Sequence, residues 1–316
     1  MTQKDMNDVP AIFIHVPSTA GTSLWEILKK GSHKKIKRFY DNRNFNINAE
    51  LAENLLIKKG HEFSIIGGHF NFGIKNPDGN LSHFTFIRDP VDRIQSAWFR
   101  KVRNGLRPKA GSAETPNLSD LINFAKSSRF TQVLMLTGIP EKEIKNNLEQ
   151  NDPSVIIPQY AELARNNFAF IGHTSRFNLD LFKLAKFLGW RNVPLYDFRN
   201  IGGNRQPIPE DIKHQLIEIL NFEIQFCELL KNAPPQNIDT GMLDKFQYSL
   251  FLTLNRIRRF WLRLTDDGYS ERYVKKVKAQ LTVKQSIKEV ELPNGEKKIN
   301  GRKNRESRKR KRNKNI

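Results

Sequence analysis

This chain of 316 residues has one cysteine, no long apolar run and fewer acidic than basic residues. The single Cys227 excludes an intramolecular disulfide framework and fits a reducing compartment, and we expect it to be a small buried hydrophobic residue. No apolar run approaches the roughly 20 residues that a membrane-spanning helix needs. The first ten residues lack the apolar segment of a secretory signal. We therefore expect a cytoplasmic protein, with peripheral membrane contact as an option.

The excess of positive charge is concentrated near the C-terminus. The formal net charge is +20, and residues 270–316 hold 17 Lys and Arg against 5 Asp and Glu. The rest of the chain is only moderately basic, which suits an anionic small molecule and does not require nucleic acid. RNA binding through the tail stays open as an alternative, although basic tails often bind polyanions nonspecifically.

Apolar strand-like runs alternate with helical patterns between residues 10 and 232. This alternation predicts an α/β domain with a central, mostly parallel sheet flanked by helices, as in a P-loop-like three-layer sandwich. The predicted strands are 11–16, 64–69, 83–88 and 168–173. Helices are predicted at about 118–127, 130–137, 141–150, 155–166, 176–188 and 208–230.

A C-terminal extension is predicted over residues 233–316, after the Ala-Pro-Pro sequence that ends the globular part. Residues 246–264 predict an amphipathic helix in which apolar residues alternate with arginines. The helix has three possible uses: packing on the domain, lying on an anionic membrane, or meeting a partner. We expect the basic tail, about 295–316, to be disordered.

Residues 11–25, Ala-Ile-Phe-Ile-His-Val-Pro-Ser-Thr-Ala-Gly-Thr-Ser-Leu-Trp, form the most informative segment. A strand leads through a loop of small residues directly into a helix, for which Thr22 or Ser23 is the expected cap. Such a loop directs unpaired backbone N–H groups, at the positive end of the helix dipole, toward an anion. The Walker A pattern is missing, so ATP or GTP hydrolysis has little support. Taken alone, the loop is equally consistent with an ordinary strand–helix turn.

A second segment strengthens the prediction of a phosphate site. Arg88 ends a predicted strand, Asp89-Pro90 is a good helix start, and Ser96 lies about two turns into that helix. The guanidinium group can bind a phosphate through two parallel hydrogen bonds, and the hydroxyl adds a donor. The alternative is an ordinary surface network in which Arg88 pairs with Asp89 or Asp92.

Together these segments resemble the sulfotransferases that depend on PAPS (3'-phosphoadenosine 5'-phosphosulfate). The similarity is greatest to the branch of heparan sulfate 2-O-sulfotransferases and bacterial carbohydrate sulfotransferases. Residues 15–23, His-Val-Pro-Ser-Thr-Ala-Gly-Thr-Ser, resemble the family's loop for the 5'-phosphosulfate. Residues 84–96, Phe-Thr-Phe-Ile-Arg-Asp-Pro-Val-Asp-Arg-Ile-Gln-Ser, resemble its motif for the 3'-phosphate. Residues 68–73 and 168–177 resemble two further family segments, and the resemblance covers about residues 10–230.

The resemblance implies the role of each site residue. His69, in the Gly-His segment, would be the base that removes the proton of an acceptor hydroxyl group, and a carbohydrate is the expected acceptor. Arg88 and Ser96 would hold the 3'-phosphate, and no metal is expected. The 5'-phosphate would be bound by the loop, whose residues are Thr19, Ala20, Gly21, Thr22 and Ser23.

The sequence departs from the family pattern at Ser18, which replaces the loop lysine expected to stabilise charge on the leaving phosphate. Another cation such as Lys29, Lys30 or Arg93 can take over this role, the enzyme can be slow, or the chain can bind the nucleotide without transferring sulfonate. We predict an active sulfotransferase with Ser18 in its catalytic site, and a PAP-binding or PAPS-binding pseudoenzyme or partner-binding protein is the alternative.

Overall fold

The computed structural model describes residues 9–40, 44–75, 81–103, 109–110, 115–116, 118–196, 208–232 and 242–265. The predicted disordered tail lies outside these residues. The chain divides into two compact units, Met1–Arg258 and Arg259–Ile316. The first contains the sheet and the helices that pack on it. In the described residues, no helix has the length and apolar character needed to cross a bilayer.

The strands are β1 Ala11–Ile14, β2 Lys35–Phe39, β3 Phe63–Gly68, β4 His83–Ile87, β5 Lys109–Ala110, β6 Thr115–Pro116 and β7 Phe170–His173. The helices are α1 Gly21–Gly31, α2 Phe45–Lys59, α3 Pro90–Arg103, α4 Leu118–Lys126, α5 Thr131–Thr137, α6 Glu141–Gln150, α7 Pro153–Asn167, α8 Phe177–Phe187, α9 Glu210–Asn232 and α10 Met242–Thr265. Single 3₁₀ turns occupy Gly60–Glu62 and Thr174–Arg176.

The main sheet has the strand order β2-β3-β1-β4-β7, and every neighbouring pair is parallel. β5 and β6 form a separate antiparallel pair. The predicted parallel sheet is confirmed. The predicted strands 11–16 and 168–173 are too long, since β1 ends at Ile14 and β7 begins at Phe170.

The sheet is covered on both faces. Alternate residues of β1 belong to different apolar clusters, because successive side chains of a strand point to opposite faces. Ile12 and Ile14 pack in one cluster with residues of α2, α5, α7 and α9. Ala11 and Phe13 pack in the other with residues of α1, α8 and α10. The predicted three-layer sandwich of helix, sheet and helix is therefore confirmed.

The start of α1 differs from the prediction. The residue before the helix is Ala20, which has a left-handed backbone (φ 63°) and no side-chain capping bond. Thr22 and Ser23 lie inside the first turn, so the predicted cap is wrong. The predicted start of α3 is correct, since the Asp89 carboxylate accepts a hydrogen bond from the Asp92 N–H at 2.9 Å.

Helix α10 packs on the sheet domain through one side. The Asn255 side chain is fully buried and its Oδ1 accepts a hydrogen bond from the Tyr196 N–H at 3.1 Å. Phe251 is also buried, in the same cluster as Tyr196. Asp244 forms an ion pair with Lys186 of α8. Of the three uses considered for this helix, packing on the domain therefore applies to one face of its first part.

Candidate active site

Four polar side chains follow directly after the carboxyl ends of neighbouring parallel strands. Tyr40 follows β2, His69 follows β3, His15 follows β1 and Arg88 follows β4. From β1 the chain first builds β2 and β3 on one side and then β4 and β7 on the other. A crevice outside the strand ends at such a reversal is the usual ligand site of open α/β sheets.

The loop between β1 and α1 has two residues with left-handed backbone, Ser18 (φ 72°) and Ala20 (φ 63°). The Thr19 hydroxyl, which is fully buried, closes the loop by donating to the Val16 carbonyl at 2.7 Å. Alternation of left-handed and ordinary backbone turns successive N–H groups toward one side of a loop. The loop therefore has the conformation of an anion cradle.

The N–H groups at the start of α1 are available to an anion. The Ser23 N–H is the first in this turn with a backbone acceptor, the Ala20 carbonyl at 3.0 Å. Within the described ranges, no backbone acceptor is found for the N–H groups of residues 19–22. Thr22 has an exposed side chain, whereas that of Ser23 is buried.

The structure brings the two predicted phosphate segments together. Nη1 of Arg88 donates to the Ser18 carbonyl at 3.3 Å, across 70 residues of sequence. Nη2 of Arg88 also lies 3.5 Å from the Asp92 carboxylate, as the alternative reading of this segment proposed. Arg88 thus joins the loop and α3, and 20% of its side-chain surface remains exposed.

A buried glutamine fixes the backbone of Arg88. The Gln132 Oε1 atom accepts from the Arg88 N–H, and its Nε2 donates to the Arg88 carbonyl, both at 2.9 Å. Gln132 in turn donates its own N–H to Glu223 at 2.5 Å and contacts the Cys227 sulfur at 3.3 Å. Burial raises the pKa of the Cys227 thiol well above its usual range, so this cysteine has the structural role that was expected.

Arg93 belongs to this structural network and not to the surroundings of the β1–α1 loop. Its Nη2 lies 3.0 Å from the Glu223 carboxylate, and both side chains are almost completely buried. The same nitrogen donates to the Ser128 carbonyl at 2.8 Å. Lys29 and Lys30 are exposed in the last turn of α1, at the opposite end from the loop. None of the three cations considered for the missing lysine therefore reaches Ser18 in this structure.

A different cation contacts Ser18. Nη2 of Arg100 donates to the Ser18 hydroxyl at 3.2 Å, across 82 residues of sequence. Residues 92, 96 and 100 are four apart on α3 and so lie on one helix face, with Ser96 between Asp92 and Arg100. The sequence analysis assigned no role to Arg100. Its position, four residues after Ser96 in the series 88, 92, 96 and 100, indicates that it shares a helix face with Ser96 and could have identified it.

His69 is held in a defined tautomer. Its Nδ1 lies 2.8 Å from the His15 carbonyl, and since a carbonyl oxygen only accepts, Nδ1 carries the proton. The ring stacks on that of His15, with centroids 4.7 Å apart, and is tilted against that of Tyr40, at 4.5 Å. Burial lowers the pKa of His69, the bond to the His15 carbonyl opposes this, and the charge of Arg100 lowers it further. Nε2 therefore keeps its lone pair at neutral pH.

His15 sits beneath the loop at the end of a chain of hydrogen bonds. Trp25 Nε1 donates to the Tyr40 hydroxyl, which lies 2.5 Å from His15 Nδ1. Burial, with smaller effects of His69 and Arg100, keeps the pKa of His15 well below its usual range, so the ring is neutral. The other ring nitrogen, Nε2, is buried with no hydrogen-bond partner among the described residues and lies where a side chain at Gly21 would be.

The remaining histidines of the sheet are structural. Burial lowers the pKa of His83 and of His173 to about 4 each. His173 Nδ1 accepts from the Ser175 N–H at 3.3 Å, and the backbone N–H of His173 donates to the Asp180 carboxylate at 2.6 Å. In the described residues, no group of three or more His, Cys, Asp and Glu could hold a metal ion.

Comparison with solved structures shows that this chain is similar to a sulfotransferase. The crystal structure of a sulfotransferase from Alicyclobacillus acidocaldarius matches with a TM-score of 0.39 and 15% sequence identity, covering 71% of this chain and 97% of that chain. No family model matches the sequence, and no curated protein matches it.

Proposed function

We propose that this chain is a sulfotransferase that moves a sulfonate group from PAPS to a hydroxyl group of an acceptor, with carbohydrates as the acceptor class. The observation that carries the proposal is the contact between the Arg88 guanidinium group and the Ser18 carbonyl. This contact joins the two segments that resemble the family's phosphate motifs, which supports the proposal of one continuous anion-binding region.

The residues at the strand ends fit a doubly phosphorylated adenosine. One phosphate group would meet the N–H groups of residues 19–22 at the helix terminus, a site that favours negative charge. The Nε2 atom of His15, buried without a partner among the described residues, lies beneath the same turn. The other phosphate would be held by Arg88 and Ser96, since guanidinium groups bind phosphate through charge-assisted hydrogen bonds.

His69 is the proposed general base. PAPS supplies the sulfonate group, and the acceptor oxygen forms a bond to sulfur while the bond from sulfur to the bridging phosphate oxygen breaks. The electron pair of the broken bond stays on the 5'-phosphate of the departing bisphosphate, and the hydroxyl proton moves to Nε2 of His69. The tautomer fixed by the His15 carbonyl leaves Nε2 free to accept this proton.

A second candidate function is nucleotide binding without transfer. The replacement of the loop lysine by Ser18 favours it, because a preorganised cation at a developing negative charge is a large contribution to catalysis. The two functions share the binding site and differ only in turnover.

Binding is tested by a thermal-shift screen of the full chain with adenosine 3',5'-bisphosphate, ATP and NAD. We expect selective stabilisation by the bisphosphate, amounting to about 2.7 kcal/mol at a concentration of 100 Kd. Arg88→Gln should abolish most of this shift, and Lys29→Gln, which removes a charge far from the loop, should retain it. Equal stabilisation by all three ligands would count against the proposal.

Turnover is tested with radiolabelled PAPS and a panel of carbohydrate hydroxyl acceptors. Product formation that is lost in His69→Gln supports the sulfotransferase. Tight bisphosphate binding with no product on any acceptor, and no hydrolysis of PAPS, supports the binding protein instead.

A further inference from the structure

We propose that Arg100 delivers from α3 the positive charge that the loop lysine delivers in the family this chain resembles, and that the Ser18 hydroxyl group holds it in place. This inference rests on the proposed function, because it concerns the same anion site. It assigns Arg100 to the 5'-phosphate end of the donor, next to the loop, and leaves Arg88 at the other end.

Ser18 contacts both arginines, through two different groups. Ser18 presents its carbonyl to Arg88 and its hydroxyl to Arg100, at 3.3 and 3.2 Å. A lysine at position 18 would put a charge here from the loop itself. The serine instead accepts a hydrogen bond from a charge on the neighbouring helix.

The other cations near the motifs have different partners or positions. Arg93 is buried against Glu223, and Lys29 and Lys30 lie at the far end of α1. Arg100 is also close enough to the two histidines to influence them, since its charge lowers the pKa of both His15 and His69. Its guanidinium group therefore contacts the loop at Ser18 and is also near the proposed base.

The experiment compares two ligands. Adenosine 3',5'-bisphosphate contains the group that Arg100 is proposed to contact, and adenosine 3'-monophosphate lacks it. Arg100→Gln should weaken binding of the bisphosphate about tenfold and leave the monophosphate unchanged, because one charge-assisted contact is lost. Arg100→Lys should retain most of the affinity. Ser18→Lys combined with Arg100→Gln should restore it, since the charge then comes from the loop.

The same variants give a readout that is independent of turnover. In the ligand-free protein, Arg100→Gln should raise the pKa of His69, measured by NMR titration of its ring, because a neighbouring positive charge is removed. Lys29→Gln is the matched control and should leave both the pKa and the two affinities unchanged. With PAPS, Arg100→Gln should lower kcat about 10²-fold.

The outcomes separate the two levels of the proposal. If the wild type does not bind the bisphosphate, the proposed function fails and the role of Arg100 fails with it. If the wild type binds the bisphosphate and Arg100→Gln binds it equally well, or loses both ligands equally, only the role of Arg100 is refuted.

A second inference concerns the outer face of α10. Phe246, Leu250, Leu254 and Ile257 are spaced by four, four and three residues and form what we call the α10 apolar face. These side chains are 67%, 47%, 42% and 48% exposed, although the opposite side of the helix is buried on the domain. Clustered exposure of large apolar side chains marks an interaction surface.

We infer that the α10 apolar face lies on an anionic lipid surface. Exposed Lys245 and Arg256 lie beside the face, and residues 270–316, further along the chain, carry 17 basic against 5 acidic residues. Apolar side chains that enter the headgroup region, together with basic residues beside them, are the usual features of interfacial helices. Anionic lipid headgroups attract basic segments of this kind.

The test is sedimentation of the full chain with vesicles of phosphatidylcholine, with or without phosphatidylserine. We expect binding to the phosphatidylserine vesicles, reduced at least about tenfold by Phe246→Ser with Leu250→Ser, because buried apolar area contributes to the affinity. Ile57→Ser, at an equally exposed apolar residue of α2, is the control and should bind as the wild type does. Absence of vesicle binding, binding that the double variant retains, or dimerisation that the double variant abolishes would refute the inference.

Discussion

The ring of His69 is tied to the backbone of His15, whose carbonyl accepts the Nδ1 proton at 2.8 Å. The two residues follow β3 and β1, which are neighbours in the sheet. Their rings are stacked, so one histidine supplies the orientation of the other. The proposed base is thereby held in one tautomer by the residue that precedes the β1–α1 loop.

The pH dependence of the proposed transfer should reflect His69. Burial lowers its pKa below 6.5, so kcat/KM should be level through neutral pH and fall only in acid, where the ring becomes protonated. Arg100→Gln should move this acid limb to higher pH, because the charge that disfavours protonation is gone. The measurement is a pH profile of kcat/KM for each variant.

Loss of the base should be more severe than loss of any other histidine. His69→Gln should lower kcat by about 10²–10⁴-fold. His214→Gln changes an exposed residue of α9 and should leave kcat unchanged. Full activity of His69→Gln would remove this residue from the mechanism.

Gly21 should not tolerate a side chain. A Cβ atom there would lie 1.7 Å from Nε2 of His15, so Gly21→Ala must displace the buried ring or the loop. We expect loss of bisphosphate affinity by at least about tenfold and destabilisation of about 1–3 kcal/mol, the usual range for overpacking. Calorimetric titration and urea unfolding measure the two effects.

Gly60→Ala is the matched control for this substitution. The backbone of Gly60 is ordinary right-handed helix, and the nearest atom to its Cβ position is 3.7 Å away. The alanine should therefore leave stability and binding nearly unchanged. If both variants bind the bisphosphate as the wild type does, close packing beneath the loop is not required.

The ion pair of Arg93 and Glu223 should be essential for stability. Glu223→Gln leaves the buried Arg93 charge without its carboxylate, which costs about 3–5 kcal/mol in comparable pairs. Because Glu223 also accepts the Gln132 N–H, the support of Arg88 should weaken and bisphosphate affinity should fall with stability. Urea unfolding and calorimetric titration test both expectations.

An exposed ion pair on the same helix provides the comparison. Glu228 and Lys231 are 3.1 Å apart, and both side chains are substantially exposed. Glu228→Gln should cost less than about 1 kcal/mol, since solvent screens such pairs. An equal loss for both variants would show that burial does not control the effect.

Stability should decrease in mild acid because of two buried histidines. The pKa values of His83 and His173 are lowered to about 4, below the usual value of 6.5. Their contribution to the free energy of unfolding is complete above about pH 6.5. It is lost as pH falls toward 4, because in this range these histidines bind protons in the unfolded chain but stay neutral in the folded chain. The slope is at most about 1.4 kcal/mol per pH unit for each residue. His83→Gln should reduce the slope of the urea midpoint against pH.

Local patterns determined much of this protein. The apolar runs of β1, β3, β4 and β7, the small-residue loop and the Asp-Pro helix start are all readable from neighbouring residues. β2 and α2 were missed for physical reasons. The β2 sequence, Lys-Ile-Lys-Arg-Phe, is mostly exposed, and α2 carries exposed Ile47, Leu51 and Ile57 that obscure its buried side. Edge strands carry charged residues because an uncovered apolar edge promotes aggregation.

Only the tertiary structure decided which groups meet at the strand ends. The sequence by itself supplied Arg88, Ser18 and His69 as candidates, but the contacts of Ser18 with Arg100 and of Arg88 with Gln132 span 82 and 44 residues. Such contacts depend on the order of parallel strands and on the angle at which α3 passes the loop. No local pattern encodes either quantity, because packing of the whole sheet sets both.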